Sequence, residues 1–484
     1  MKHLLITLAL LVAATSMASA KVVPHHLVGD NMVLQQNTSV RLWGTAKAGA
    51  KVSVRPSWAR KAVTVRSDAD GNWEAWLQTP AASFEPREIR ISDGEELVLR
   101  NVLIGEVWVA GGQSNMEMPV RGFDNCPVEG YNEAVAESVD YSCIRYAKIP
   151  SVMSQTPLDD ADTRWNVISP STVPWASATG YFFARALCAA LKVPVGIIEA
   201  NKGGSRVESW LTEENLRKYT NEPLTLEEIK ANPRCSTYDY LYPLLWGNGT
   251  FNPIVKYTVK GIIFYQGCSN AGDPGDSYSR LLKVLVEQWR DQFGLGEIPF
   301  HFVQICPWGG SGGADPLGTS WPLLQEQQFK AAQQIPNSAL ICTTDCVYPH
   351  EINQIHPTQK RRVGERLAWM TLNRTYGFGM LGARSPSFRS MRIEGDRVYL
   401  SFDGMESGTN RMYDIQGFEV AGEDRVFHPA HAEHNWGNVY VTSPEVPHPV
   451  AVRYAFHNWP CANFGNSLGL PLFPFRTDNW DDVK

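Results

Sequence analysis

Residues 103–119 read LIGEVWVAGGQSNMEMP, and their reading decides the fold. Val107, Trp108, Val109 and Ala110 form a short apolar run without alternation, as a strand buried on both faces requires. Gly111 and Gly112 follow, then Gln113, Ser114 and Asn115, then residues able to open a helix. A serine on a tight turn between a buried strand and a helix is held at the edge of the sheet. Its hydroxyl can project into a crevice, and nearby backbone N–H groups can face an incoming oxygen. That is the layout a serine nucleophile needs. The block alone also fits an ordinary strand-to-helix turn with Ser114 or Asn115 as N-cap, so the remaining catalytic groups must come from elsewhere in the chain.

Working outward, further buried strands are expected at residues 195–200, 261–265, 300–305 and 339–343. Helical apolar spacing recurs between and after them, at residues 180–191, 278–293, 325–334 and 360–372. Strand–helix repetition over residues 106–385 predicts an α/β domain, a parallel sheet with helices on both faces. Ligands of such sheets bind at the carboxyl ends of the strands. Ser114 follows the first strand. Asn201, Lys202, Gly203, Gly204, Ser205 and Arg206 follow the second, and the two glycines allow backbone N–H groups to approach an oxyanion. Gln266-Gly267-Cys268-Ser269-Asn270 follows the third. His356, in Glu351-Ile352-Asn353-Gln354-Ile355-His356-Pro357, follows the last and is placed as a general base for Ser114. Each block alone also reads as a structural turn. Four at successive strand ends, each supplying a different required part, argue for one site.

Around this domain the pattern is all-β. Residues 21–105 carry short alternating runs between turn signals, as in a small β-sandwich. Residues 386–484 return to short β runs, as a second β-domain or as strands completing the first. Residues 1–20 read as a secretory signal, with Lys2 and His3 at the start, an apolar core, and Ala18-Ser19-Ala20 before a mature start near Lys21. The apolar run is too short to span a bilayer. The 43% hydrophobic and 19% charged residues describe a soluble globular chain, and a formal charge of −6 without a basic stripe argues against nucleic acid. The nine cysteines do not show zinc-ligand spacing, and Cys188, Cys306 and Cys342 lie in apolar runs as buried thiols. His428, His431 and His434 are read as a solvated loop or turn rather than a metal site. Gly309 to Gly313 form a flexible stretch that is either a mobile active-site loop or a surface loop.

The Gly112-Gln113-Ser114-Asn115-Met116 block, together with Tyr265-Gln266-Gly267-Cys268-Ser269-Asn270 and Ile355-His356-Pro357 with Lys360, resembles the sialate O-acetylesterase family of the SGNH (GDSL-type) hydrolase superfamily. Blocks from Asp30-Asn31-Met32 to Pro474-Phe475-Arg476-Thr477 extend the resemblance over almost the whole mature chain. It implies a flavodoxin-like three-layer sandwich with flanking β regions, and a periplasmic esterase acting on O-acetylated sialic acid or sialoglycans without metal or cofactor. Another acetylated glycan, of xylan or pectin type, and an inactive glycan-binding protein are the alternatives. Carried over, the resemblance makes Ser114 the nucleophile and His356 the base. The oxyanion hole becomes the N–H of Ser114, a backbone N–H of Gly203 or Gly204 (Gly204 favoured), and the side chain of Asn270. Many relatives have glutamate where Cys268 stands, and an aspartate two or three residues before the histidine, where this chain has Gln354 and Asn353. A Ser–His dyad with a neutral third member is expected, with Gln354 the foremost candidate to orient His356. Asn353, a backbone carbonyl, Asp345 and Glu351 are the others. Gln113, Arg206 and Trp308 are candidate substrate-binding residues: Arg206 for a sialic acid carboxylate or as a structural ion pair, Trp308 as a sugar-stacking floor.

Overall fold

The computed structural model describes residues 21–219, 221, 223–233, 238–409, 414–435 and 438–481, so the leader read at residues 1–20 lies outside the described residues. The central sheet contains β1 (Glu96–Gly112), β2 (Ile144–Lys148), β3 (Trp165–Val167), β4 (Val195–Asn201), β5 (Gly261–Tyr265), β6 (Phe300–Val303) and β7 (Ser338–Ile341). Their order is β3-β2-β4-β1-β5-β6-β7, parallel except for the antiparallel edge strand β3. Four helices cover it: α1 (Ala178–Leu191), α2 (Ser277–Phe293), α3 (Ser320–Gln334) and α4 (Lys360–Tyr376). The two-residue period of β1 sorts its side chains. Val107 and Val109 join the core that holds Phe264, Trp289 and Leu324, under α2 and α3. Trp108 and Ala110 join the opposite core with Phe183, Val363 and Leu367, under α1 and α4. The absence of alternation in this run thus reflects burial on both faces, and the α/β three-layer class is as expected.

β1 is longer than residues 107–110 because it serves two parts of the molecule. Its first half pairs antiparallel with Ser83–Ser92 of the N-terminal β region, and its second half pairs in parallel with β4 and β5. The division expected at residue 105 therefore falls inside a continuous strand. Residues 387–476 form two four-stranded antiparallel sheets that share a core of Val398, Leu400, Phe418, Val420, Val441 and Tyr454. Among the described residues none of these strands pairs with the N-terminal sheets, so they do not complete that region. His428 and His431 lie on short strands there, not in a loop, and His428 Nδ1 is 3.0 Å from Glu445. No helix among the described residues is long and apolar enough to cross a membrane.

Candidate active site

From β1 the strand order runs one way through β4 to β2 and the other way through β5 to β7. The carboxyl end of β1 is thus a topological switch point, where open α/β sheets leave a crevice. Gly112 turns the chain there with φ +140°, and a Cβ at this position would lie 2.3 Å from the Tyr265 carbonyl oxygen. Gln113 N–H donates to that carbonyl at 3.0 Å, while Gln113 Oε1 accepts from Gly267 N–H at 2.7 Å. Gln113 is buried by these bonds, which pin the turn against the end of β5. Ser114 then opens a single helical turn, Ser114–Glu117.

His356 comes from the segment between β7 and α4, and its Nε2 lies 2.7 Å from Ser114 Oγ. Three side chains shape that segment. Glu351 accepts from the backbone N–H groups of Tyr348 and Thr358. Gln354 Oε1 accepts from the backbone N–H of His356 at 3.1 Å. Lys360, fully buried at the start of α4, donates from Nζ to Pro357 O at 2.6 Å and to Asn115 Oδ1 at 2.9 Å. Burial pushes the His356 imidazole down to about 4, and the Lys360 cation acts in the same direction. Burial likewise pushes the Lys360 ammonium down to about 8.

The glycine block is a β-turn closed by Ser205 N–H to Lys202 O at 3.2 Å, with Gly204 third at φ +76°. A Cβ at Gly203 would stand 3.4 Å from Ser114 Cβ, so the turn lies against Ser114. Gly203 N–H is committed to Glu117 Oε2 at 2.6 Å. The N–H groups of Ser114 and Gly204 have no hydrogen-bond partner among the described residues. Of the two glycines, Gly204 therefore retains the available donor.

Three expectations need correction. The Asn270 amide, assigned to an oxyanion, is buried and spends its hydrogens on Glu208 Oε2 (2.9 Å) and Asp273 Oδ2 (2.8 Å), while its oxygen accepts from Val207 N–H and Gln266 Nε2. Arg206, assigned to a substrate carboxylate, is buried and pairs with Glu208 and with Asp273 at 3.1 Å, which is the structural alternative. Gln354 holds the backbone of His356 and not its ring. Asp345 forms a two-pronged pair with Arg366, and Glu351 caps its own turn, so neither stands behind the imidazole. The Trp308 ring packs on Trp321, with centroids 4.9 Å apart. The Gly309–Gly313 stretch abuts the same segment as His356, since Gly309 N–H donates to Ile352 O.

Several contributing residues escaped sequence reasoning. Glu117 anchors Gly203, and its signal was a carboxylate three residues after the serine. Glu199 on β4 is buried, with Oε1 accepting from Ser177 N–H and Oε2 unpartnered. It lines a cavity of about 260 Å³ with Glu117, Lys148, Ser151 and Asn201. Burial, with a contribution from the Glu117 charge, pushes its carboxyl up to about 7.

A family model and several known proteins are similar to this chain. Residues 104–373 match a family model described as carbohydrate esterase, sialic acid-specific acetylesterase. The chain is 25% identical to mouse sialate O-acetylesterase, over 93% of each chain. It is 25% identical to the human protein of that name, covering 93% of this chain and 91% of the other. The crystal structure of a carbohydrate acetylesterase from Xanthomonas citri superposes with a TM-score of 0.84 at 34% identity, over 95% of this chain and all of that one.

Proposed function

The chain belongs to the sialic acid-specific acetylesterase family of carbohydrate esterases, and from that premise we propose that it removes O-acetyl groups from sialic acids through an acetyl-Ser114 intermediate. The observation that carries the mechanism is the 2.7 Å contact between His356 Nε2 and Ser114 Oγ at the switch point. His356 takes the serine proton as Oγ attacks the acetyl carbonyl. The N–H groups of Ser114 and Gly204 receive the oxyanion. His356 returns the proton to the departing sugar hydroxyl. Water, deprotonated by the same ring, then attacks the acetyl-enzyme, and the ring gives that proton to Ser114 Oγ as its bond to the acetyl group breaks and acetate leaves. We further infer an exported, periplasmic enzyme from the leader at residues 1–20. N-terminal sequencing of the exported protein should then start near Lys21.

One observation favours a second substrate. Arg206, the residue expected to meet a sialic acid carboxylate, is already paired, and the relative at 34% identity is a carbohydrate acetylesterase. Another acetylated glycan, of xylan or pectin type, is the second reading. Acetate release from acetylated sialic acids and from acetylated xylan, by wild type and Ser114→Ala, tests both. Sialosides should be deacetylated faster, and only by wild type. Faster release from xylan reassigns the substrate, and undiminished release by Ser114→Ala removes the mechanism.

A further inference from the structure

Resting on the reading of Ser114 and His356 as the catalytic pair, we propose that Cys126 is the positioning residue behind His356, its sulfur accepting the imidazole Nδ1–H. With Nε2 facing the serine hydroxyl as acceptor, the one hydrogen of a neutral imidazole sits on Nδ1 and needs an acceptor of its own. Cys126 Sγ lies 3.9 Å from Nδ1, at hydrogen-bonding range for sulfur. The thiol hydrogen has a separate destination, Asn125 Oδ1 at 3.4 Å. The sulfur lone pairs are thereby left to the ring, and the chain of donors runs one way, from Nδ1–H to Sγ–H to Oδ1.

The position is built. Cys126 is buried, and its backbone exchanges two hydrogen bonds with Phe123, at 3.0 and 3.1 Å. Phe123 in turn meets the His356 ring edge-on, with centroids 5.3 Å apart. Gln354 Nε2 donates to Asn125 O at 3.5 Å, joining this loop to the histidine segment. Three acids are engaged elsewhere, Glu351 by two backbone N–H groups, Asp345 by Arg366 and Glu129 by the Tyr348 hydroxyl, and Asp124 on the Cys126 loop is exposed to solvent. Lys360 is the charged group that acts on the ring. Burial pushes the Cys126 thiol up, which keeps it uncharged. A neutral sulfur fixes the tautomer and the ring plane but gives little support to an imidazolium, unlike a carboxylate at the same place. No proton passes to sulfur in the cycle.

The experiment compares Cys126→Ala, Cys126→Ser and Cys126→Asp in the full chain, using an aryl acetate, with thermal melts to establish folding. Removing the acceptor should lower kcat about tenfold while KM stays within about twofold. Serine should recover part of the loss. Aspartate should restore kcat and raise the acid limb of the pH profile by about one unit or more, because a carboxylate favours the imidazolium. A packing role orders the variants differently, with a carboxylate in this buried wall worse than alanine. The proposal is overturned if Cys126→Ala keeps wild-type kcat, or if folded Cys126→Asp is no better than alanine with the acid limb unmoved. Should the aspartate variant not fold, serine no better than alanine overturns it. Ser114→Ala, assayed alongside, separates the two readings. Its full loss beside an unaffected Cys126→Ala removes only the positioning role, whereas retained activity in Ser114→Ala removes the catalytic pair itself.

Discussion

Lys360 Nζ donates to Asn115 Oδ1 at 2.9 Å, while Asn115 Nδ2 donates to Ile355 O at 3.0 Å. The residue after Ser114 is thus tied both to the residue before His356 and to the helix after it. These two bonds close the loop on which the Ser114–His356 distance depends. The first of them, with the bond to Pro357 O, also gives the buried Lys360 ammonium its acceptors.

Asn115→Ala should therefore destabilise the fold by about 2 to 3 kcal/mol, because it takes one acceptor from a buried cation. Urea unfolding at pH 7 measures this. A change of less than about 0.5 kcal/mol would show that the bond has no such role.

The pH dependence follows from His356. Its folded-state value, about 4, lies below its ordinary 6.5. The ring thus remains a neutral base until the pH falls close to 4, and kcat/KM should keep its plateau through pH 6 and decline below pH 5. Between 6.5 and 4 the unfolded chain binds the proton first, so this group's share of stability falls as the pH is lowered through that window. Lys360→Met, which removes the repelling cation, should move the acid limb upward. An acid limb at 6.5 in wild type contradicts the burial argument.

Glu117 acts on the glycine turn through Gly203 N–H. In Glu117→Ala that anchor is gone, and kcat should fall about tenfold or more with little change in KM, as expected for a misplaced oxyanion donor. Glu117→Gln keeps an acceptor oxygen and should recover most of the rate. Steady-state kinetics on an aryl acetate decides, and equal activity in all three proteins would refute the role.

Glu199 should weaken the fold at alkaline pH. Its carboxyl titrates near 7 in the folded state against an ordinary 4.5. The native state therefore holds a proton that the unfolded chain releases between 4.5 and 7, and stability declines as the pH rises through that range. Above pH 7 the full cost is about 3 kcal/mol. Glu199→Gln removes the charge and should raise denaturant stability at pH 8 by about 1 to 3 kcal/mol, with a smaller gain at pH 5. Equal gains at both pH values would mean that the effect is not ionisation.

The central sheet was legible because burial on both faces leaves continuous apolar runs, and residues 261–265 are such a case with ends that match β5. β2 and β3 were not, since Ile144–Lys148 mixes Arg145 and Lys148 with its apolar residues and Trp165–Val167 is three residues long. α3 starts five residues earlier than its spacing suggested. Pro322 lies in its first turn, where the missing N–H costs nothing. Ser114 and His356, which the structure brings within 2.7 Å of each other, could be paired in the sequence because strand ends in parallel sheets converge on one crevice. The choice of partner for each polar side chain was not readable. Asn270 and Arg206 were singled out correctly as polar residues after strands, but Glu208 and Asp273 compete for their hydrogens. Cys126 meets His356 across 230 positions of sequence from a loop without a motif.

The long first strand has a meaning for how the molecule is inherited. Glu96–Gly112 begins paired within the N-terminal β region and ends two residues before Ser114. A splice or a fusion at residue 105 would cut a single beam at mid-span and strip the hydrolase sheet's inner strand of its whole antiparallel anchor, which lies at residues 96–104. The N-terminal region is therefore no detachable module. Among the described residues the C-terminal sandwich, by contrast, shares no strand with the central sheet and meets α3 through side-chain contacts such as the Arg476–Glu326 pair.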